Sequence, residues 1–190
     1  RILTEELLER FTKEYINAQT MNEVLFTWHG GEPLVRPMNF YERALRLQEK
    51  HAQGKTIENA LQTNGTLLTL NWCNFLKNNN FLVGISIDGT QEMHDHYRIS
   101  RSGRGTWRQV MRGVELLQRC GVDWNAMAVV NDFNALHPLE FYRFFKIKFF
   151  SQFLNLFIKM FNFLLNFRLT LVIFLNFVYT VFFYNFIIYN

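Results

Sequence analysis

The feature that most limits what this chain can fold into is a regular alternation of helix-patterned and strand-patterned segments running to about residue 147. Residues 4–18 place Leu7, Leu8, Phe11 and Tyr15 on one helical stripe, behind Thr4 as N-cap and with Glu5 and Glu6 in the first turn. Residues 23–28 are apolar and β-prone and end at Gly30-Gly31. A second helix pattern covers 38–53, with Phe40, Ala44, Leu45 and Leu47 inward, followed by a short strand at 57–62. Residues 69–79 are helical, 81–87 form an apolar strand, and 106–119 are helical with Val110, Val114 and Leu117 on one face and Gly121 beyond the end. Residues 124–130 read as another strand, and 138–147 begin another helix. Such alternation requires β–α crossovers, hence an α/β fold with a parallel sheet and helices outside. An open doubly wound sheet and a barrel both satisfy it, and in either the ligand site lies at the carboxyl ends of the strands.

Those ends carry the unusual residues: His29-Gly30-Gly31-Glu32-Pro33, Gln62-Thr63-Asn64-Gly65 and Ser86-Ile87-Asp88-Gly89. Paired glycines let a ligand approach the backbone closely because no Cβ intervenes. Strand-end carbonyls can then accept from an ammonium group, with Glu32 as a charge-assisted acceptor, while Pro33 stiffens the exit. Neither a phosphate loop nor a Gly-x-Gly-x-x-Gly fingerprint is present, which argues against dinucleotide binding. Gln62, Thr63 and Asn64 are expected to line the cavity, and Asp88 with Gly89 reads as an Asx-type turn. His94 and His96 stand two apart and would face opposite sides of a strand, a poor arrangement for a metal.

Charge and cysteine content exclude several functions. The formal charge is +4, yet all 16 acidic residues and 15 of the 20 Lys and Arg fall in residues 1–140, a net −1 there. The last 50 residues carry five basic residues and no acid, so the basic character marks the tail and not a nucleic-acid-binding face. Cys73 and Cys120 are 47 residues apart and belong to no Cys-x-x-Cys pair, so they read as reduced thiols. No apolar leader segment interrupts the charged run from Arg1 to Glu14, and the cytoplasm is the expected compartment. Residues 148–190 form a Phe-, Asn- and Leu-rich tail, and from 149 onward it contains no Gly, Pro, Asp or Glu. Its A/T-rich codon set is what a frameshifted or degenerate segment produces; a helical, membrane-spanning stretch at 169–188 and a buried helix of the native fold are the alternatives.

A strand ending in Gly-Gly-Glu-Pro resembles the S-adenosylmethionine (SAM) motif of the radical SAM superfamily. FTWHGGEPL (26–34), LQTNGTLL (61–68), FLVGISIDG (81–89), HDHYR (94–98) and FYRFFK (141–146) follow the order and spacing of the anaerobic sulfatase-maturating enzymes. The resemblance implies a partial (β/α)6 radical SAM core over residues 1–147, a [4Fe–4S] cluster and SAM. It also implies a sulfatase precursor peptide as partner, whose Cys or Ser is oxidised to formylglycine through a 5′-deoxyadenosyl radical. Gly30, Gly31 and Glu32 match the family's SAM-binding loop, with Gly31 at the SAM amino group. Ser86 matches a SAM-contacting serine at the end of the family's fourth strand, and Arg98 an arginine that pairs with the SAM carboxylate. A guanidinium suits that task because it offers two parallel donors in a fixed fork.

The departures are equally specific. The family's Cys-x-x-x-Cys-x-x-Cys loop, its cysteine-rich C-terminal (SPASM-type) domain and its general-base Asp have no counterpart in these 190 residues. The expectation is a fragment, catalytically inactive as it stands. Another SPASM-type peptide maturase, or a non-catalytic membrane-associated remnant, are the alternatives.

Overall fold

The computed structural model describes residues 4–148. Six α-helices and four strands alternate among them: α1 (Glu5–Ala18), β1 (Glu23–Trp28), α2 (Met38–His51), β2 (Thr56–Thr63), α3 (Leu70–Asn78), β3 (Leu82–Ser86), α4 (Gln91–Tyr97), α5 (Trp107–Arg119), β4 (Trp124–Met127) and α6 (Pro138–Lys148). Short 3-10 turns stand at Pro33–Val35 and Asn134–Leu136. The strands form one parallel sheet in the order β1-β2-β3-β4, four of the six strands expected of the barrel.

Side-chain alternation along the strands separates two faces. Val24 and Phe26 pack with Ile16 of α1, while Leu61, Val83 and Ile85 join residues of α2, α3, α5 and α6 in the main core. Gln62, Gly84 and Ser86 point to the opposite face and stay half-buried. A string of edge-to-face rings (Trp28, Tyr41, Trp72 and Phe75) ties β1, α2 and α3 together. Inside the same region Asn59 and Gln48 exchange two hydrogen bonds of 2.9 Å, and Trp28 Nε1 donates to Asn59 at 2.8 Å, so these buried polar groups are paired.

Local sequence explains where the elements begin and how tightly they pack. Thr4 caps α1 by accepting from Leu7 N, and Thr69 caps α3 by accepting from Trp72 N. The α5 stripe contains Gly113 between Val110 and Leu117. A Cβ there would stand 2.6 Å from the Gly65 carbonyl oxygen, so α5 lies directly on the turn that leaves β2.

Several sequence expectations need correction. The buried face of α1 is Leu8, Thr12 and Ile16; Leu7 and Phe11 are exposed. Thr12 can turn inward because its hydroxyl donates to Leu8 O within the helix. In α2 the buried positions are Tyr41, Ala44 and Gln48, with Phe40, Leu45 and Leu47 only flanking them. Helix α4 was not anticipated, and His94 and His96 lie on it and not on a strand. Strand β4 ends at Met127, short of the expected residue 130, because side chains claim the Val129 backbone: Asp88 accepts from its N–H and Asn134 donates to its carbonyl. The expected tail at 148–190, with its membrane-spanning alternative at 169–188, lies almost wholly outside the described residues; only Lys148, the last residue of α6, is described. Among the described residues no helix is long and apolar enough to cross a membrane.

Candidate functional site

At the carboxyl ends of the strands a cleft of about 500 Å³ is lined by His29 and Gly31 after β1, Gln62, Thr63 and Asn64 at the end of β2, Ser86 at the end of β3, Arg98 after α4, and Met127–Val129 after β4. All three glycine-bearing strand ends picked out in the sequence therefore converge. Gly30 and Gly31 both adopt positive φ, +100° and +56°, and a Cβ at either would meet nothing within 4 Å. The backbone here is bare and faces open space, as a ligand pressed against it requires.

Glu32 has a different position from the one expected. It does not line the cleft. Its Oε1 accepts from Leu34 N at 3.0 Å and from the Thr63 hydroxyl at 2.7 Å, and its Oε2 accepts from Asn64 N at 2.8 Å. Glu32 is thus a clamp that fastens the double-glycine turn to the end of β2. Tyr41 braces the same turn by donating to Pro33 O at 2.8 Å, and burial, then the Glu32 charge, pushes its phenol up to about 12. Gln62 leans across Gly84 to donate to Ser86 Oγ at 3.1 Å; any Cβ on Gly84 would sit 2.6 Å from the Gln62 amide oxygen.

Arg98 is held firmly, unlike its neighbours Arg101 and Arg104, which are exposed. Its Nε and Nη2 donate to the two carboxylate oxygens of Asp88, at 2.5 and 3.1 Å. The Asp88 side chain is only 4% exposed and that of Arg98 28%, so the pair is rooted in protein while the guanidinium reaches the cleft. Two of the five guanidinium N–H groups point at Asp88, leaving donors for an anionic ligand group. Asp88 is accordingly a buried ion-pair partner rather than a simple turn residue. Beneath it His94 is fully buried: Nδ1 accepts from Asp88 N at 3.2 Å, and Nε2 stands 3.1 Å from Thr106 Oγ1, which itself donates to Arg98 O. Since the Thr106 proton is committed, the ring must carry its proton on Nε2 and is neutral. Burial, then the Arg98 charge, pushes His94 down to about 4.

Sequence reasoning missed the fourth wall. Met127–Val129 form it, and Asn131 and Asn134 shape it: Asn131 accepts from Phe133 N and Asn134 N, and Asn134 accepts from Asn131 N. Asn131 and Asn134 lie just beyond the expected strand at 124–130, and turn-favouring asparagines at that place are the signal that could have located this wall.

The sequence model described as the Radical SAM superfamily matches residues 1–145. The chain belongs to the radical SAM superfamily. It is 61% identical over 145 residues to the serine-type anaerobic sulfatase-maturating enzyme of Bacteroides thetaiotaomicron, covering 76% of this chain and 35% of that one. The cysteine-type enzyme of Clostridium perfringens is 40% identical over 157 residues, 81% of this chain and 42% of the relative. A solved structure described as native anSMEcpe with bound AdoMet and Cp18Cys peptide matches with a TM-score of 0.74 and 38% identity, over 78% of this chain and 41% of that one. The chain therefore spans well under half the length of these relatives.

The cleft fits SAM in kind: bare glycine backbone, a strand-end hydroxyl and an oriented guanidinium stand around one cavity. The residues present do not fit an iron–sulfur cluster, which needs about three or four thiolate ligands. The chain has two cysteines, neither lines the cleft, and burial, then the neighbouring Cys120, pushes the Cys73 thiol up to about 12. Among the described residues no group of three or more His, Cys, Asp and Glu could hold a metal.

Proposed function

We propose that the cleft binds SAM, and that a radical SAM protein built on this core oxidises a Cys or Ser of a sulfatase precursor to formylglycine in the cytoplasm. One observation carries the reading: Gly31, Ser86 and Arg98 surround a single cavity in a chain with 61% identity to a serine-type maturase. In this reading the backbone at Gly30 and Gly31 receives the methionine ammonium, the free Arg98 donors take the carboxylate, and Ser86 contacts the ligand from the end of β3. Glu32 serves the site through its clamp. When bound, SAM supplies the adenosyl group for hydrogen abstraction from a peptide. The division into a core at 1–147 and a separate tail belongs to the same proposal, supported by the superfamily match ending at residue 145.

Two experiments test this. Equilibrium dialysis of the purified 190-residue chain against labelled SAM is expected to show saturable binding. The same sample, given iron, sulfide and a reductant without oxygen, is expected to form no 5′-deoxyadenosine above a protein-free control. Lack of saturable binding removes the SAM site, and cleavage above the control removes the claim that this chain is inactive by itself. A chimera tests the activity of the parent type: residues 1–145 replace their counterpart in the Bacteroides thetaiotaomicron maturase. It is expected to form formylglycine on a serine-type sulfatase peptide, detected by mass spectrometry. A folded, cluster-loaded chimera that binds SAM but leaves the peptide unmodified would point to another peptide maturase.

A further inference from the structure

We propose that Asp88 is the positioning residue of the SAM carboxylate site: it sets the Arg98 guanidinium and the β4 exit loop at once. This rests on the reading of the cleft as a SAM site. Both Asp88 oxygens are engaged, Oδ2 with Arg98 Nε at 2.5 Å and Oδ1 with both Arg98 Nη2 at 3.1 Å and Val129 N at 2.9 Å. Arg98 follows α4 and Val129 follows β4, 31 residues apart, and both line the cleft. One buried carboxylate thus joins two walls. The fork also fixes the plane of the guanidinium, because two donors on one edge are bound and the unbound donors must point elsewhere.

The support beneath Asp88 is specific. His94 Nδ1 accepts from the Asp88 N–H, and Thr106, at the start of α5, joins His94 Nε2 to the Arg98 carbonyl. The backbones on both sides of the ion pair are therefore held by one chain of bonds that does not enter the cleft. Asp88 is 3% exposed and does not line the cavity, so it acts on a ligand through Arg98 and not by contact. A buried carboxylate facing an arginine is often only structural, since removing one partner leaves the other charge unpaired. What sets this pair apart is that the arginine side chain is 28% exposed and lines the cleft.

The two roles predict different ligand selectivity. SAM and 5′-methylthioadenosine share the adenosine and the sulfur, but the second lacks the amino-acid portion that Arg98 would hold. Asp88→Asn suits the test: its amide oxygen, in the place of Oδ1, can still accept from Val129 N, while its NH2 group, in the place of Oδ2, meets Arg98 Nε donor to donor and breaks that arm of the fork. In dialysis with the full chain, D88N is expected to weaken SAM about tenfold, as loss of one oriented charge-assisted contact does, and methylthioadenosine less than about twofold. R98Q should produce the same selective loss. D88N/R98Q, whose two amides can pair with each other, should bind SAM no more weakly than R98Q. Because that pair is neutral, the double variant also serves if D88N alone does not fold. An equal loss for both ligands in folded D88N, an unchanged SAM preference, or a further loss of SAM on adding D88N to R98Q each overturns the proposal. If the wild-type chain binds no SAM, the cofactor reading itself has failed. If it binds SAM and R98Q is indifferent, the cofactor reading stands and the role of Asp88 falls.

Discussion

Glu32→Ala is expected to destabilise the fold by about 3 kcal/mol and to weaken SAM binding with it, since several hydrogen bonds to one charged acceptor are lost together. The side chain accepts from Leu34 N, the Thr63 hydroxyl and Asn64 N, joining the turn after β1 to the end of β2. Alanine leaves those donors without their acceptor and loosens the turn that carries Gly30 and Gly31. Glu32→Gln separates the clamp from the charge. Its one oxygen can serve Leu34 N and Thr63, but its NH2 group must face the Asn64 N–H, donor to donor. The expected cost is therefore smaller, about 1.5 kcal/mol. Urea unfolding of the three proteins measures both values. If Glu32 were a ligand acceptor exposed in the cleft, either substitution would lower SAM affinity and leave the urea midpoint in place.

The sequence made the architecture legible because helix and strand patterns alternate, and because β1 and β3 are short runs followed within a few residues by glycine, whose use at a strand end can be read directly. Gly31, Gln62, Ser86 and Arg98 do meet in one cleft. What stayed hidden depended on partners distant in sequence. Nothing around Glu32 indicates that its carboxylate turns back to Thr63, 31 positions away. Asp88 beside Gly89 satisfies every local rule for a turn, and only the fold brings Arg98 and Val129 to it. Helix α4 was invisible because a seven-residue helix with two histidines offers too little apolar periodicity to read. Thr12 and Gln48 went inward against their polarity for the same reason: each finds its hydrogen bond, one within its own helix and the other on Asn59.

Acid should expose the cost of the buried imidazole. His94 is neutral in the folded protein, pushed down to about 4 first by burial and then by the charge of Arg98, against the partial opposition of Asp88 and Asp95. In the unfolded chain a histidine takes up its proton near pH 6.5. Between those two values the unfolded state binds a proton that the folded state refuses, so stability rises with pH across this window. The contribution is fully present above about pH 6.5 and is lost as the pH falls toward 4, by roughly 3 kcal/mol in total, with no further loss from this group below that. The structure gives the atomic reason: Nδ1 is the acceptor for Asp88 N, and a proton placed there meets another N–H. Carboxylates titrate in the same range, so the comparison must be a double difference. His94→Gln can keep an acceptor for Asp88 N and a donor for Thr106, yet it does not titrate. Urea midpoints of both proteins at pH 7.5 and pH 4.5 should show the wild-type chain losing more than the variant. Equal losses would mean that His94 charges in place, and that the bonds linking Asp88, His94, Thr106 and Arg98 can rearrange around the added proton.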